Sequence, residues 1–133
     1  MPRLVLFALF LVGFSFQSFA DRSILSGGNL YGLCDDERPE SQAMCNQVIA
    51  SVYDGAIIAA SIIAIKSGRD QSDFEAFRYS VRKDIGICLP ADATDFTLTH
   101  PVLEFLDKIQ TNMESPAQIT ILIALQEAYP CKK

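Results

Sequence analysis

The chain has 133 residues, half of them apolar, and a formal charge of −5. A chain of this length folds as one domain around a single core, and its apolar content excludes a disordered protein. An acidic domain without a basic cluster is also a poor nucleic-acid binder, because phosphate binding needs a positive surface.

The first 20 residues have the three parts of a secretory signal peptide. Arg3 supplies the positive start, an apolar run follows, and Ser18 and Ala20 put small residues at the cleavage site. An uncleaved anchor is disfavoured, because the apolar run is about half the length of roughly 20 residues that spans a bilayer. We therefore predict cleavage after Ala20 and a mature domain over residues 21–133. That domain should fold in an oxidising space, in the periplasm or outside the cell.

Four cysteines remain in the predicted mature chain, and an even number after a signal peptide predicts two disulfides. Three pairings exist. Cys34 with Cys45 would close a short acidic loop, and Cys88 with Cys131 would tie the middle of the chain to its end. Zinc is the alternative, but the spacings contain no Cys-x-x-Cys and His100 is the single histidine. We predict neither a metal nor a cofactor.

The mature chain has helical periodicity and no convincing strand pattern. A short helical turn is predicted over residues 29–34, and a long apolar helix over residues 40–66. Its many alanines favour close packing, so we expect it to be buried on most sides, either as the central helix or in a dimer face. A membrane span is the competing interpretation, which Asp54 disfavours because a carboxylate in lipid costs several kcal/mol.

An amphipathic helix is predicted over residues 72–85, with Ser72 and Glu75 in a capping-box pattern and Gly86 as the stop. Its charged side is expected to be solvated, and includes Arg78 and Arg82. Its core face is predicted from apolar residues at helical spacing, which are Phe74, Phe77, Val81 and Ile85.

Two more helices complete the prediction. One starts at Thr94, and Pro101 should introduce a kink or a fresh start. The last opens at Ser115, an N-cap followed by proline in the first turn and Gln118 in a capping box. It is apolar nearly all round and should be deeply buried. The fold class is therefore all-α, a compact bundle of four to five helices stapled by two disulfides.

Few residues have the arrangement that catalysis requires. His100 precedes a proline at a predicted helix start, which is typical of a capping or surface histidine. Asp54 is the one carboxylate for which the apolar helix suggests a raised pKa, although a residue satisfied by a neighbouring chain end or helix terminus is the simpler interpretation. The sequence therefore favours a binding protein over an enzyme. One candidate is a carrier of a lipid or small apolar ligand, held between the alanine-rich helix and the last one.

A set of short motifs resembles a known family. They cover Gly28 to Cys131 and include residues at the cysteines, on the long helix and near the last loop: Gly28-Asn29-Leu30-Tyr31, Cys34, Cys45, Ser51-Val52-Tyr53-Asp54, Cys88-Leu89-Pro90, Thr94, Leu98, Phe105-Leu106, Pro116-Ala117 and Ala128-Tyr129-Pro130-Cys131. The pattern resembles the Rap/Tai family of type VI secretion immunity proteins. The resemblance implies a small periplasmic helical protein, typically a homodimer, that neutralises a peptidoglycan amidase effector.

The resemblance also implies a mechanism. A projecting loop of one subunit plugs the amidase groove while a helix of the other braces it. By position, the effector-binding residues are Gln110, Thr111, Asn112, Met113 and Glu114. An ordinary helix connection is the alternative interpretation of this segment, and the acidic residues Asp35, Asp36 and Glu37 are a second candidate contact.

Overall fold

The structure is a computed structural model that describes residues 25–109 and 114–132. These residues form five α-helices and no strand, which confirms the all-α prediction. The predicted signal peptide lies outside the described residues. The helices are α1 (Gly27–Asp35), α2 (Pro39–Lys66), α3 (Phe74–Ile85), α4 (Asp95–Lys108) and α5 (Ala117–Ala128).

The main core lies where α1, α2, α4 and α5 meet. Its fully buried members come from all four helices and from the segment after α3, and burying each leucine or isoleucine contributes about 1.5–3 kcal/mol. The largest of them are Leu30, Ile49, Ile87, Val102, Leu106, Ile121 and Leu125.

Two disulfides crosslink the elements around this core. Cys34–Cys45 joins α1 to α2, and Cys88–Cys131 joins the segment after α3 to the segment after α5. The prediction of two disulfides is confirmed. In the loop-entropy account the closed loops of 11 and 43 residues contribute on the order of 3 and 4 kcal/mol.

Helix α2 has a buried half and an exposed half. Cys45, Ile49 and Tyr53 belong to the main core, whereas Ile58 and Ile63 are 60% and 69% exposed. The prediction of a helix buried on most sides is therefore wrong, and 22% of its most apolar 18-residue window is buried. Within the described residues, α2 is the one helix long and apolar enough to cross a membrane by length and composition.

Helix α3 packs on the second half of α2 through a smaller core of Phe77, Val81 and Ala64. It begins later than predicted, because Asp73 is the N-cap and accepts a hydrogen bond from the Ala76 N–H at 3.0 Å. Ser72 instead donates its hydroxyl proton to Asp70. Phe74 is 67% exposed, so its predicted place in the core is wrong.

Helix α4 starts at the predicted threonine. The Thr94 N–H donates to the Thr97 hydroxyl at 2.6 Å, which closes the first turn. The helix then continues to Lys108 through Pro101, so of the two outcomes expected there, a kink or a fresh start, the fresh start is wrong. Proline lacks the N–H that would bond to the carbonyl of Thr97, four residues earlier. The hydroxyl of Tyr129 donates to that carbonyl at 3.1 Å and replaces the missing donor.

Helix α5 differs from the prediction at its start and on one face. Its N-cap is Pro116 without a side-chain hydrogen bond, so the capping role of Ser115 is wrong. Ile121 and Leu125 are fully buried, but Ile119 and Ile123 are 54% and 40% exposed. One side of this apolar helix therefore faces outward.

This difference between two isoleucines of α5 gives a test of the packing. Ile121→Ala should lower the free energy of unfolding by about 2–5 kcal/mol, because it opens a cavity in the main core. The matched change Ile119→Ala should alter it by no more than about 0.5 kcal/mol. Urea denaturation of the two variants measures both values, and equal losses would contradict the assigned orientation of α5.

Candidate functional site

The predicted effector-binding segment connects α4 to α5. Of its five residues the structure describes Glu114, whose side chain is exposed. Gln110, Thr111, Asn112 and Met113 lie outside the described residues. The site is therefore defined by the two places from which the segment leaves the folded body.

The start of α5 is fixed by the N-terminal end of the domain. The Gly27 N–H donates to the Ser115 carbonyl at 2.8 Å, and the Ala117 N–H donates to the Leu25 carbonyl at 2.7 Å. These two bonds make an isolated antiparallel bridge between Ser26 and Pro116. The chain therefore re-enters the bundle directly after Glu114 at a fixed position.

The end of α4 is fixed by packing. Leu106 is fully buried in the main core, and the Ile109 N–H donates to the Phe105 carbonyl at 3.1 Å to finish the helix. Ile109 itself packs against the same core. The segment therefore leaves and rejoins the bundle at two ordered positions.

The far end of α5 is also held. The Cys88 N–H donates to the Tyr129 carbonyl at 2.9 Å beside the Cys88–Cys131 disulfide. The side-chain amide of Gln126 donates to the Ile85 carbonyl at 2.8 Å. A shift of α5 along its axis would break contacts at both ends.

The second candidate contact, the acidic run between α1 and α2, is partly used inside the protein. Asp36 accepts hydrogen bonds from the Arg38 guanidinium at 2.7 Å and from the Ser41 hydroxyl at 2.9 Å. The bonds from Arg38 and Ser41 hold the pKa of the Asp36 carboxyl well below its usual range. Asp35 and Glu37 are exposed.

The other residues considered from sequence are at the surface. His100 is exposed on α4, and Asp54 is exposed on α2 rather than enclosed by apolar neighbours. Asp54 lines a cavity of about 140 Å³ between α2 and α3, which Tyr53 and Arg82 also line. Arg82 is half-buried there, so its predicted solvated position is wrong. The sequence pattern of α3 alone gave no sign of this, because the cavity depends on how α3 packs against α2.

The five helices, the two disulfides and the connection held at both ends between α4 and α5 define a class of small, disulfide-linked helical proteins. The sequence matches the model of the Rap1a immunity proteins over residues 26–131, and the chain therefore belongs to this family. No curated protein and no solved structure matches it. Membership suggests an immunity function against a secreted effector and a non-enzymatic role. With the two disulfides, it also suggests an oxidising compartment.

The Asp36 contacts predict a pH dependence. Because the folded-state pKa of Asp36 is lowered, its stabilising effect is present above the unfolded pKa of about 4 and is lost as the pH falls. Asp36→Asn should therefore be less stable than the parent at pH 7, and the difference should shrink in acid. Denaturation at several pH values tests this, with Glu37→Gln as the exposed neighbouring control. A difference that grows in acid would contradict the assignment.

Proposed function

We propose that this protein is a periplasmic immunity protein that binds a type VI secreted peptidoglycan amidase and blocks its active-site cleft. The observation that carries the proposal is the family match over residues 26–131. In this proposal, residues 110–114 enter the cleft of the amidase.

The anchoring of this segment supports the mechanism. The segment is held at both ends. Before it, Ile109 packs on the main core, and after it, the Ser115 carbonyl accepts a backbone hydrogen bond from Gly27. The distance between its two ends is therefore fixed before a partner binds. A loop with fixed ends loses less conformational entropy on binding than a free one. Glu114, exposed beside the bridge, supplies a charge for a basic or histidine-bearing cleft.

The periplasmic location rests on the leader and the disulfides together. The predicted signal peptide would carry the chain out of the cytoplasm. The bonds Cys34–Cys45 and Cys88–Cys131 persist in an oxidising space such as the periplasm. A peptidoglycan amidase acts on the cell wall, so its inhibitor would meet it in that compartment.

Homodimer formation is part of the proposal, and the exposed half of α2 supplies a surface for it. Ile58, Ile62 and Ile65 recur at helical spacing on one face of α2 and are 46–60% exposed. Ile63 and Ala59 line an open, mainly apolar groove of about 410 Å³, which the Arg69–Asp84 ion pair also lines. A contiguous apolar surface of this kind marks an interaction site, and a two-fold dimer would bury it against itself.

The carrier hypothesis requires a ligand cavity between α2 and α5. In the structure, Ile49 of α2 and Ile121 and Leu125 of α5 are fully buried in the same core. Side chains therefore occupy the contact between these helices, which favours the inhibitor over the carrier.

The direct test is binding to the amidase encoded beside this protein's gene. The purified mature protein should bind that enzyme stoichiometrically and stop its hydrolysis of peptidoglycan. The same protein exported to the periplasm should protect cells from the amidase. If no neighbouring amidase binds at micromolar concentration, the proposal fails.

Charge reversal tests the role of the connection between α4 and α5. Glu114→Lys should weaken amidase binding by about tenfold or more, because it places a like charge against a basic cleft. Glu127→Lys, an exposed change near the other end of α5, should leave the affinity within about twofold. Calorimetry gives the affinities and thermal unfolding checks the fold. Equal affinities for the parent and Glu114→Lys would remove Glu114 from the contact.

A charged residue in the isoleucine stripe tests the dimer. Ile62→Glu should turn a dimer into a folded monomer, because an unpaired carboxylate would be buried in the interface. Ile119→Glu adds the same charge at another exposed isoleucine and should leave the dimer intact. Light scattering after size exclusion measures the mass. A monomeric parent protein, or a dimer that persists in Ile62→Glu, would contradict this interface.

A further inference from the structure

The cavity between α2 and α3 contains a buried polar atom without a partner. Tyr53 is buried, with 8% of the residue exposed, and it lines this cavity. Its hydroxyl makes no hydrogen bond of normal geometry among the described residues, and the Arg82 side chain lies close enough to it to lower its pKa. Leaving such a group unsatisfied is destabilising, so a binding partner at this position would be stabilising.

Two arginines of α3 line the same cavity. Arg78 and Arg82 are one helical turn apart, and both act on Tyr53. Burial raises the pKa of the Tyr53 hydroxyl, and the charge and side-chain hydrogen bonding of Arg82, with the charge of Arg78, oppose that rise. Arg78 is partly engaged by Glu75, at 3.4 Å between nitrogen and oxygen. Arg82 is half-buried and has no ion pair among the described residues. A partly desolvated guanidinium without a carboxylate favours binding of an anion.

The remaining lining residues set the charge of the cavity. Asp54 also lines the cavity and forms no ion pair with Arg78 or Arg82 in the described part of the chain. Two arginines and one aspartate leave a net positive lining in a protein whose formal charge is −5. Ser61 adds a hydroxyl that can donate a hydrogen bond.

We propose that this cavity binds an oxyanionic group, a carboxylate or a phosphate, between the guanidinium of Arg82 and the hydroxyl of Tyr53. Carboxylates and phosphates accept paired hydrogen bonds from a guanidinium, and their oxygens would also accept the tyrosine proton. Since less than 1 Å² of the tyrosine oxygen is exposed, a neighbouring side chain must move when the anion binds, and in this proposal that side chain is Arg82, which interacts with the hydroxyl. The site does not rest on the amidase proposal.

The test is a titration of the purified mature protein with sodium acetate and, separately, with sodium phosphate at constant ionic strength. Amide resonances of residues 53–61 and 78–82 should shift saturably. Arg82→Gln should weaken binding by about tenfold or more, because it removes a charged donor. Asp54→Asn should strengthen it by removing a like charge. The matched control Lys83→Gln, an exposed neighbour on α3, should stay within about twofold.

Tyr53→Phe provides an independent measurement. It should weaken anion binding while leaving the melting temperature equal or higher, because it removes an unpartnered buried hydroxyl. Saturable binding of acetate alone identifies a carboxylate site, and binding of phosphate alone a phosphate site; either supports the proposal. Three results would overturn it: no saturable shift with either anion, equal losses in Arg82→Gln and Lys83→Gln, or a clear loss of stability in Tyr53→Phe.

Discussion

The attachment of α5 at both ends is the constraint on which the rest of the structure depends. At its start, two backbone hydrogen bonds pair Leu25 and Gly27 with Ser115 and Ala117. At its end, the Cys88–Cys131 disulfide and the bond from Cys88 to the Tyr129 carbonyl hold it to the end of α3. Both the N-terminal residues and the segment after α3 are therefore attached to α5. Breaking either attachment would let α5 shift, and with it the connection that follows α4.

The sequence predicted the elements that local chemistry determines. The long helix was predicted over residues 40–66 and spans Pro39–Lys66, since no strong breaker interrupts it. The start of α4 at Thr94 was also correct. The caps of α3 and α5 were missed by one residue each. At α5 the cause is tertiary, because the carbonyl of Ser115 pairs with Gly27 from the other end of the chain.

Burial was harder to predict than helix formation. An almost wholly apolar helix has no polar face, so periodicity gives no orientation. Ile121 is fully buried and Ile119 is exposed, although both lie in the same apolar run. Arg82 is the opposite case, a charged residue predicted to be solvated that is half-buried. Its position beside Tyr53 depends on the packing of α3 against α2. The effector-binding segment was predicted from the family resemblance and stays a prediction, whereas the arginine cavity follows only from the tertiary structure.

The proline in α4 links two parts of the chain that are distant in sequence. Pro101 leaves the Thr97 carbonyl without its helical donor, and the phenol of Tyr129 supplies a replacement at 3.1 Å. The proline and the tyrosine hydroxyl are therefore energetically linked. In a homologue with an ordinary residue in place of Pro101, the backbone would satisfy the carbonyl by itself, and selection on the tyrosine oxygen would relax until phenylalanine served equally well.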